Sequence, residues 1–380
     1  MGIFGFKSKV KKAPDSFFIG LIVFLVIFGL VMLTSASSDL SKEKFNDSYF
    51  YLKHQIIYGL SIGLVGFLAG FFVYYRFWAK LAPWLLLANI ILLVLVFVPG
   101  IGSNSGTGSD RWLDFGIFSF QPSEFLKLTF LTYLAAWLSK KQRERSSNLI
   151  EGFLPFLVIC GIIALLLFFQ PSTTTAVLIV GAGLVTYFMA GAKIRFLAAT
   201  AGLALLAVTI LVTITPYRLD RVKVFFSNLG LFDVVADPLD ENYHLDQALT
   251  AIGSGGLTGV GYGQSTTKVN YLPEPISDSI FAIIAEELGF VGSMFLITLF
   301  FLLVWRGLLI ARKTREPFGQ LLAIGFSSII GLQAFVNIAA ISGVLPPTGV
   351  PLPFISYGGT SLLTVMTMSG IIVNISRYRN

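Results

Sequence analysis

Apolar residues in this chain run in long blocks instead of alternating with polar ones at strand or amphipathic-helix period. The blocks fall at about 17–37, 55–74, 82–99, 122–139, 150–168, 172–190, 196–215, 279–304, 318–342 and 356–376. Each is near the roughly 20 residues that an α-helix needs to cross a bilayer, so ten transmembrane helices are predicted. The intervening polar sequence is uneven. The longest piece is 216–277, between the seventh and eighth spans, followed by 100–121 and 343–355. The expected fold is an all-α polytopic membrane protein with a tail at 1–16, a single ten-helix membrane domain at 17–377 and a short end at 378–380. The first block, flanked by KSKVKK and SAS, is longer than a signal-peptide core and is followed by further spans, so it is expected to be retained. No internal repeat marks the inverted halves of a secondary transporter.

Charge orients this layout. Of 27 Lys and Arg, 18 fall in the N-terminal tail and alternate loops (KSKVKK; Arg76 and Lys80; KKQRER; Lys193 and Arg195; Arg306, Arg312, Lys313 and Arg315; Arg377 and Arg379). Eight fall in the other loops, and Lys127 lies inside a span. The positive-inside bias places both termini in the cytoplasm and the three long loops outside. The net charge of +7 is therefore a topology signal and calls for no nucleic acid. The composition, 55% hydrophobic and 12% charged with a mean hydropathy of +0.80, excludes an ordinary soluble domain. A lone Cys160 in an apolar run excludes an internal disulfide or a CxxC metal site.

The chain contains no GxxxxGK[ST] or HExxH. The glycine-rich GSGGLTGVGYGQS from Gly253 reads either as a re-entrant turn allowing close backbone approach or as a substrate contact. Gln121-Pro122-Ser123-Glu124 reads as a helix start, and Glu124 and Lys127 share a helix face as an intramembrane ion pair, a functional-site candidate because burying charge is expensive. Arg111 and Trp112 stand just outside it. Arg218 and Arg221, at the external edge of the seventh span, suit an anionic partner such as pyrophosphate, which a guanidinium grips with two parallel bonds. PPTGVPLPFISYGGTSLL implies irregular backbone near membrane depth, with Ser356 either a ligand contact or a helix cap. Asp278 opens the eighth span as a cap or a positioned base, and Glu286 and Glu287, two turns deeper, should face the bundle interior.

RWLDFGIFSFQPSEFLKL, YHLDQALTAIGSGGLTGVGYGQS, YLPEPISDSIFAIIAEELGF and LPFISYGGTSLL, with GLVMLTSAS after the first helix, resemble the SEDS family (shape, elongation, division and sporulation) in sequence and in order. This family comprises peptidoglycan glycosyltransferases of the FtsW, RodA and SpoVE type. The resemblance covers nearly the whole chain and leans to FtsW on FYLKHQI and SFQPSEF. It implies a multi-pass protein of the bacterial cytoplasmic membrane that polymerises lipid II on the outer face, with undecaprenyl pyrophosphate as leaving group. It carries the key acid onto Asp278, cavity residues onto Arg111, Glu124 and Lys127, and, less directly, Trp112, Arg218, Arg221 and Ser356. The implied partners are lipid II and undecaprenyl-pyrophosphate-linked glycan, a class B penicillin-binding protein (a transpeptidase), other divisome or elongasome membrane proteins and the bilayer. A divalent cation, magnesium or manganese, is compatible with Asp278, but the sequence has no ligand cluster that requires one.

The chain departs from the family pattern at Gln170-Pro171-Ser172, where the third residue is usually Asp, at Ile276-Ser277-Asp278, at Lys53-His54-Gln55 and at His244. Two other functions use the same kinds of residue. A lipid II flippase predicts polar groups reaching both faces, and a non-enzymatic scaffold of the synthesis complex predicts a dispensable Asp278.

Overall fold

A computed structural model of the chain describes residues 12–98, 102–103, 111–114, 119–140, 145–215, 219, 222–223, 241–268 and 274–379. Each predicted span coincides with a helix: α1 (Ser16–Phe45), α2 (Phe50–Phe72), α3 (Tyr75–Leu95), α4 (Pro122–Ser139), α5 (Leu149–Phe169), α6 (Thr173–Met189), α7 (Ile194–Ile214), α9 (Ile280–Arg312), α10 (Pro317–Ile341) and α11 (Gly359–Ser376). Among the described residues, eight of these are long and apolar enough to cross a membrane. The other two are α6, apolar but 17 residues long, and α4, which carries Glu124 and Lys127.

Pattern reading missed three features. Within 100–121, β1 (Gly102–Ser103), β2 (Trp112–Asp114) and β3 (Ser119–Phe120) form a small antiparallel sheet, pairing Gly102 with Leu113 and Leu113 with Phe120. Within 216–277 lies α8 (Glu241–Ser254). The eighth span, α9, extends to 33 residues but is broken at Gly289, where φ is 66°. Strands of two or three residues are too short for hydrophobic periodicity to register, and α8, ENYHLDQALTAIGS, is too polar to stand out as an apolar block.

The helices meet where the sequence is small or polar. In α2, Gly63, Gly66 and Gly70 face α11; a Cβ on Gly70 would lie 2.7 Å from the Thr367 carbonyl oxygen, and one on Gly370 would lie 2.2 Å from that of Phe67. Small residues let helix backbones approach this closely, which membrane helices need because lipid tails compete for apolar contact. α10 and α11 are buried along most of their length, whereas α7 buries only Phe196 and Thr200. The core is thus a nest around α10 and α11, and the candidate site lies at its predicted external end.

Candidate functional site

Pro122 starts α4, where its missing N–H is harmless, and Gln121 holds the cap position without a side-chain cap bond, its backbone N–H donating to Thr360 Oγ1 at 3.2 Å. One turn on, Lys127 Nζ lies 2.5 Å from Glu124 Oε1 and 2.8 Å from Gln333 Oε1 of α10. Lys127 is fully buried and Glu124 is 3% exposed. Lys127 therefore spends its donors on protein groups, while Glu124 keeps its second oxygen, Oε2, without a hydrogen-bond partner. An ionised buried carboxylate oxygen with no donor is costly, so it suits a ligand that brings one.

That oxygen belongs to a residue lining a cavity of about 370 Å³, together with Arg111, Gln121, Ser172 to Thr175 on the start of α6, and the loop Leu345 to Pro351. Arg111 reaches across it, Nη2 donating to the Pro171 carbonyl at 3.2 Å. Ser172, where the resembled family usually has Asp, lines the cavity with its hydroxyl turned to the Gln170 carbonyl at 3.2 Å.

Asp278 stands just before the first turn of α9 and is 9% exposed. Its Oδ2 is 3.8 Å from where a Cβ on Gly349 would sit, and Gly349 lines the cavity. Asp278 is not itself among the lining residues; Gly349 brings the cavity wall within contact distance of its carboxylate. Ser279 occupies the cap position of α9 without a side-chain cap bond. Ser356 is not a helix cap either, because α11 begins at Gly359 with Gly358 in that place. Its hydroxyl instead donates to the Ser277 carbonyl at 2.5 Å and accepts from the Leu352 amide at 2.8 Å, joining the start of α9 to the Pro-rich loop.

The structure brings Arg111 and Glu124 to the cavity, sets Lys127 beneath Glu124, and sets Asp278 and Ser356 behind the loop. Trp112 pairs with Ser103 in the small sheet and is not among the lining residues. Arg218 and Arg221 lie outside the described residues.

Glu286 and Glu287 do face the interior, each 1% exposed. Glu286 accepts from Ser265 Oγ at 2.6 Å, the Thr266 amide at 3.0 Å and the Thr267 hydroxyl. Glu287 accepts from Ser35 Oγ of α1 at 2.5 Å and faces Lys268 Nζ at 3.5 Å. The glycine-rich segment packs on the same place as a close backbone approach. Val260 and Gly261 donate to the Glu286 and Glu287 carbonyls at 3.0 and 3.1 Å, while the Phe290 and Val291 amides turn to the Gly256 and Leu257 carbonyls at 2.9 and 3.1 Å. These are the groups that a continuous helix would have joined to each other.

Sequence reading missed Ser35, Lys268, Gln333 and Asn337. Gln333 and Asn337, one turn apart in a largely apolar helix, carried a visible signal; nothing in the sequence pairs Ser35 or Lys268 with Glu287. Among the described residues no three His, Cys, Asp or Glu side chains cluster to hold a metal ion, so a divalent cation would find one carboxylate, Asp278, and no protein ligand set around it.

The family model described as "Cell cycle protein" (FTSW_RODA_SPOVE) matches residues 15–380. Stage V sporulation protein E of Bacillus subtilis (strain 168) is 38% identical over 374 residues, 97% of this chain and 98% of that one. The probable peptidoglycan glycosyltransferase FtsW of Geobacter sp. (strain M18) is 38% identical over 354 residues, covering 93% and 94%. Among solved structures, a chain of a peptidoglycan synthase complex superposes with a TM-score of 0.78 at 28% identity, covering 96% of this chain and 98% of that one. The rod shape determining protein RodA of Thermus thermophilus gives 0.66 at 27%, covering 97% and 99%.

Proposed function

The chain belongs to the FtsW/RodA/SpoVE family of cell cycle proteins, and from that membership we propose that it is a peptidoglycan glycosyltransferase that polymerises lipid II on the outer face of the bacterial cytoplasmic membrane. All ten apolar helices then cross the bilayer, both termini lie inside, and the cavity opens outward.

The observation that carries this reading is the Asp278 carboxylate held against Gly349 in the wall of a cavity that Arg111 and Glu124 also line, with one Glu124 carboxylate oxygen left without a partner. Glycan polymerisation needs few protein groups. The acceptor's sugar hydroxyl oxygen bonds to the anomeric carbon of the donor chain, and the bond from that carbon to the pyrophosphate oxygen breaks. Asp278 takes the hydroxyl proton as general base. Pyrophosphate leaves as a stable anion, so no acid need protonate it, and a cation beside the developing charge suffices. Arg111 is placed for that task, with Arg218 and Arg221 proposed alongside it. Glu124 Oε2 would accept a hydrogen bond from a substrate hydroxyl or amide, with Lys127 fixing its orientation. Ser356 sets the Ser277–Asp278 backbone. A class B penicillin-binding protein and other division or elongation proteins are the proposed partners, and the resemblance to FtsW and sporulation relatives favours a septal role over elongation.

The test is polymerisation of lipid II by the purified protein with its class B partner, wild type against Asp278→Asn. The expected result is glycan strands from wild type and a loss of about 100-fold or more in the variant, the low end of what a general base contributes. Equal rates would remove Asp278 as the base. A wild type that makes no strands would remove the activity itself.

A further inference from the structure

Gln333 and Asn337 lie one turn apart on α10, and their amide groups donate to consecutive carbonyls of the Pro-rich loop, Gln333 Nε2 to Pro351 at 2.8 Å and Asn337 Nδ2 to Val350 at 2.7 Å. Each has a second partner. Asn337 Nδ2 also donates to the Asp278 carbonyl at 2.8 Å, and Gln333 Oε1 accepts from Lys127 Nζ at 2.8 Å. Asn337 is fully buried and Gln333 is 1% exposed. A buried amide in a membrane helix is expensive unless satisfied; here the Asn337 nitrogen serves two backbone oxygens that belong to separate segments, while its Oδ1 has no hydrogen-bond partner.

From this geometry we infer that Asn337 is a positioning residue for Asp278, and that with Gln333 it forms a clamp fixing the distance between the proposed base and the Glu124–Lys127 pair. The inference rests on the glycosyltransferase reading. α10 is a rigid, deeply buried helix, whereas Asp278 and Val350 lie on irregular backbone that follows residues 269–273 and 342–349. Both segments take their register from α10 through the same nitrogen. Gly349, in the loop so clamped, lines the cavity and packs against the Asp278 carboxylate. Loss of the Asn337 donor would release the Asp278 and Val350 carbonyls from α10 and leave the start of α9 and the loop joined through the Ser356–Ser277 and Tyr357–Ile276 bonds. Base and acceptor hydroxyl must meet within hydrogen-bond reach, so small displacements here cost rate.

The experiment compares wild type, Asn337→Leu and Asn337→Ala, with Asn374→Leu as control. Asn374 is an equally buried amide at the opposite end of the bundle, its Nδ2 donating to the Phe71 carbonyl at 2.6 Å. Lipid II polymerisation is measured with the class B partner present. Backbone hydrogen exchange is measured on peptides covering 276–282, 346–352 and, as reference, 305–316. The clamp predicts that both Asn337 variants lose about 10-fold or more in kcat with KM within about two-fold. It also predicts faster exchange in 276–282 and 346–352 but not in 305–316, and no selective kcat loss in Asn374→Leu. Unchanged kcat with an active wild type overturns the positioning role, and so does an equal kcat loss in Asn374→Leu or exchange that rises in all three regions. A wild type that makes no strands removes the glycosyltransferase reading and the positioning role with it. Exchange then still decides whether the two segments are clamped.

Discussion

Lys127 has no exposure and is held by one carboxylate oxygen and one amide oxygen. Removing one member of such a pair leaves the other as an uncompensated buried charge, which costs about 3–5 kcal/mol, whereas replacing both with apolar residues of similar size is often tolerated. Lys127→Met is therefore expected to lower the melting temperature of the purified protein sharply, and the double variant Glu124→Leu/Lys127→Met to regain most of it while polymerising no lipid II. A melting point unchanged in Lys127→Met would show the pair to be solvated. The pair was legible in the sequence because two charges three residues apart in an apolar run have few alternatives. The roles of Ser356 and Asn337 were not legible, because what defines them is a carbonyl oxygen 79 or 59 residues away. Spacing along a helix carries no information about such partners.

At the scale of elements, the interruption of α9 is the feature most exposed to mutation. Gly289 has φ 66° and Gly259 has φ 83°, and a Cβ on Gly289 would lie 2.3 Å from the Gly259 nitrogen while one on Gly259 would lie 2.1 Å from the Glu287 carbonyl oxygen. Alanine at either position meets both a disfavoured backbone conformation and hard backbone atoms, and it should destabilise by about 2 kcal/mol or more. Gly253→Ala, with open space around its Cβ and a helical backbone, should be neutral or mildly stabilising by the same melting assay. Equal melting points for the three variants would contradict the tight approach. The ten helices themselves were readable because blocks of apolar sequence report burial in lipid directly. The break in α9 was hidden, since a single glycine in a long apolar run does not distinguish a helix contact from an interruption; only the second glycine-rich segment, 30 residues earlier, gives it a partner.

At the scale of the whole molecule, the two ends are built differently. The end predicted to face the cytoplasm is tied by Asp15, which pairs with Arg306 at 2.9 Å and with Arg379, and by Glu316, which pairs with Arg76 at 2.6 Å. Burial opposes ionisation of Asp15, but hydrogen bonds from Arg306, Arg379 and the Phe18 amide outweigh it and hold its carboxyl below the usual 3.8. A carboxyl depressed on folding stabilises the fold above its unfolded value and loses that contribution as pH falls through the folded one. Melting temperature should therefore drop more steeply below about pH 4 in wild type than in Asp15→Asn, which starts lower and responds less. Parallel curves would show that Asp15 contributes nothing. The opposite end contains the cavity, and its architecture depends on the exchanged backbone bonds between 256–261 and 286–291. That exchange also constrains the order of synthesis. As the ribosome delivers α9 to the bilayer, its interrupted conformation leaves two carbonyls and two amides without partners inside the helix. The segment that satisfies them has already been translated, so the chain supplies the missing partner before the need for it arises. A circular permutation opened between 261 and 286 would reverse that order, leaving the interrupted span to enter lipid with its backbone bare.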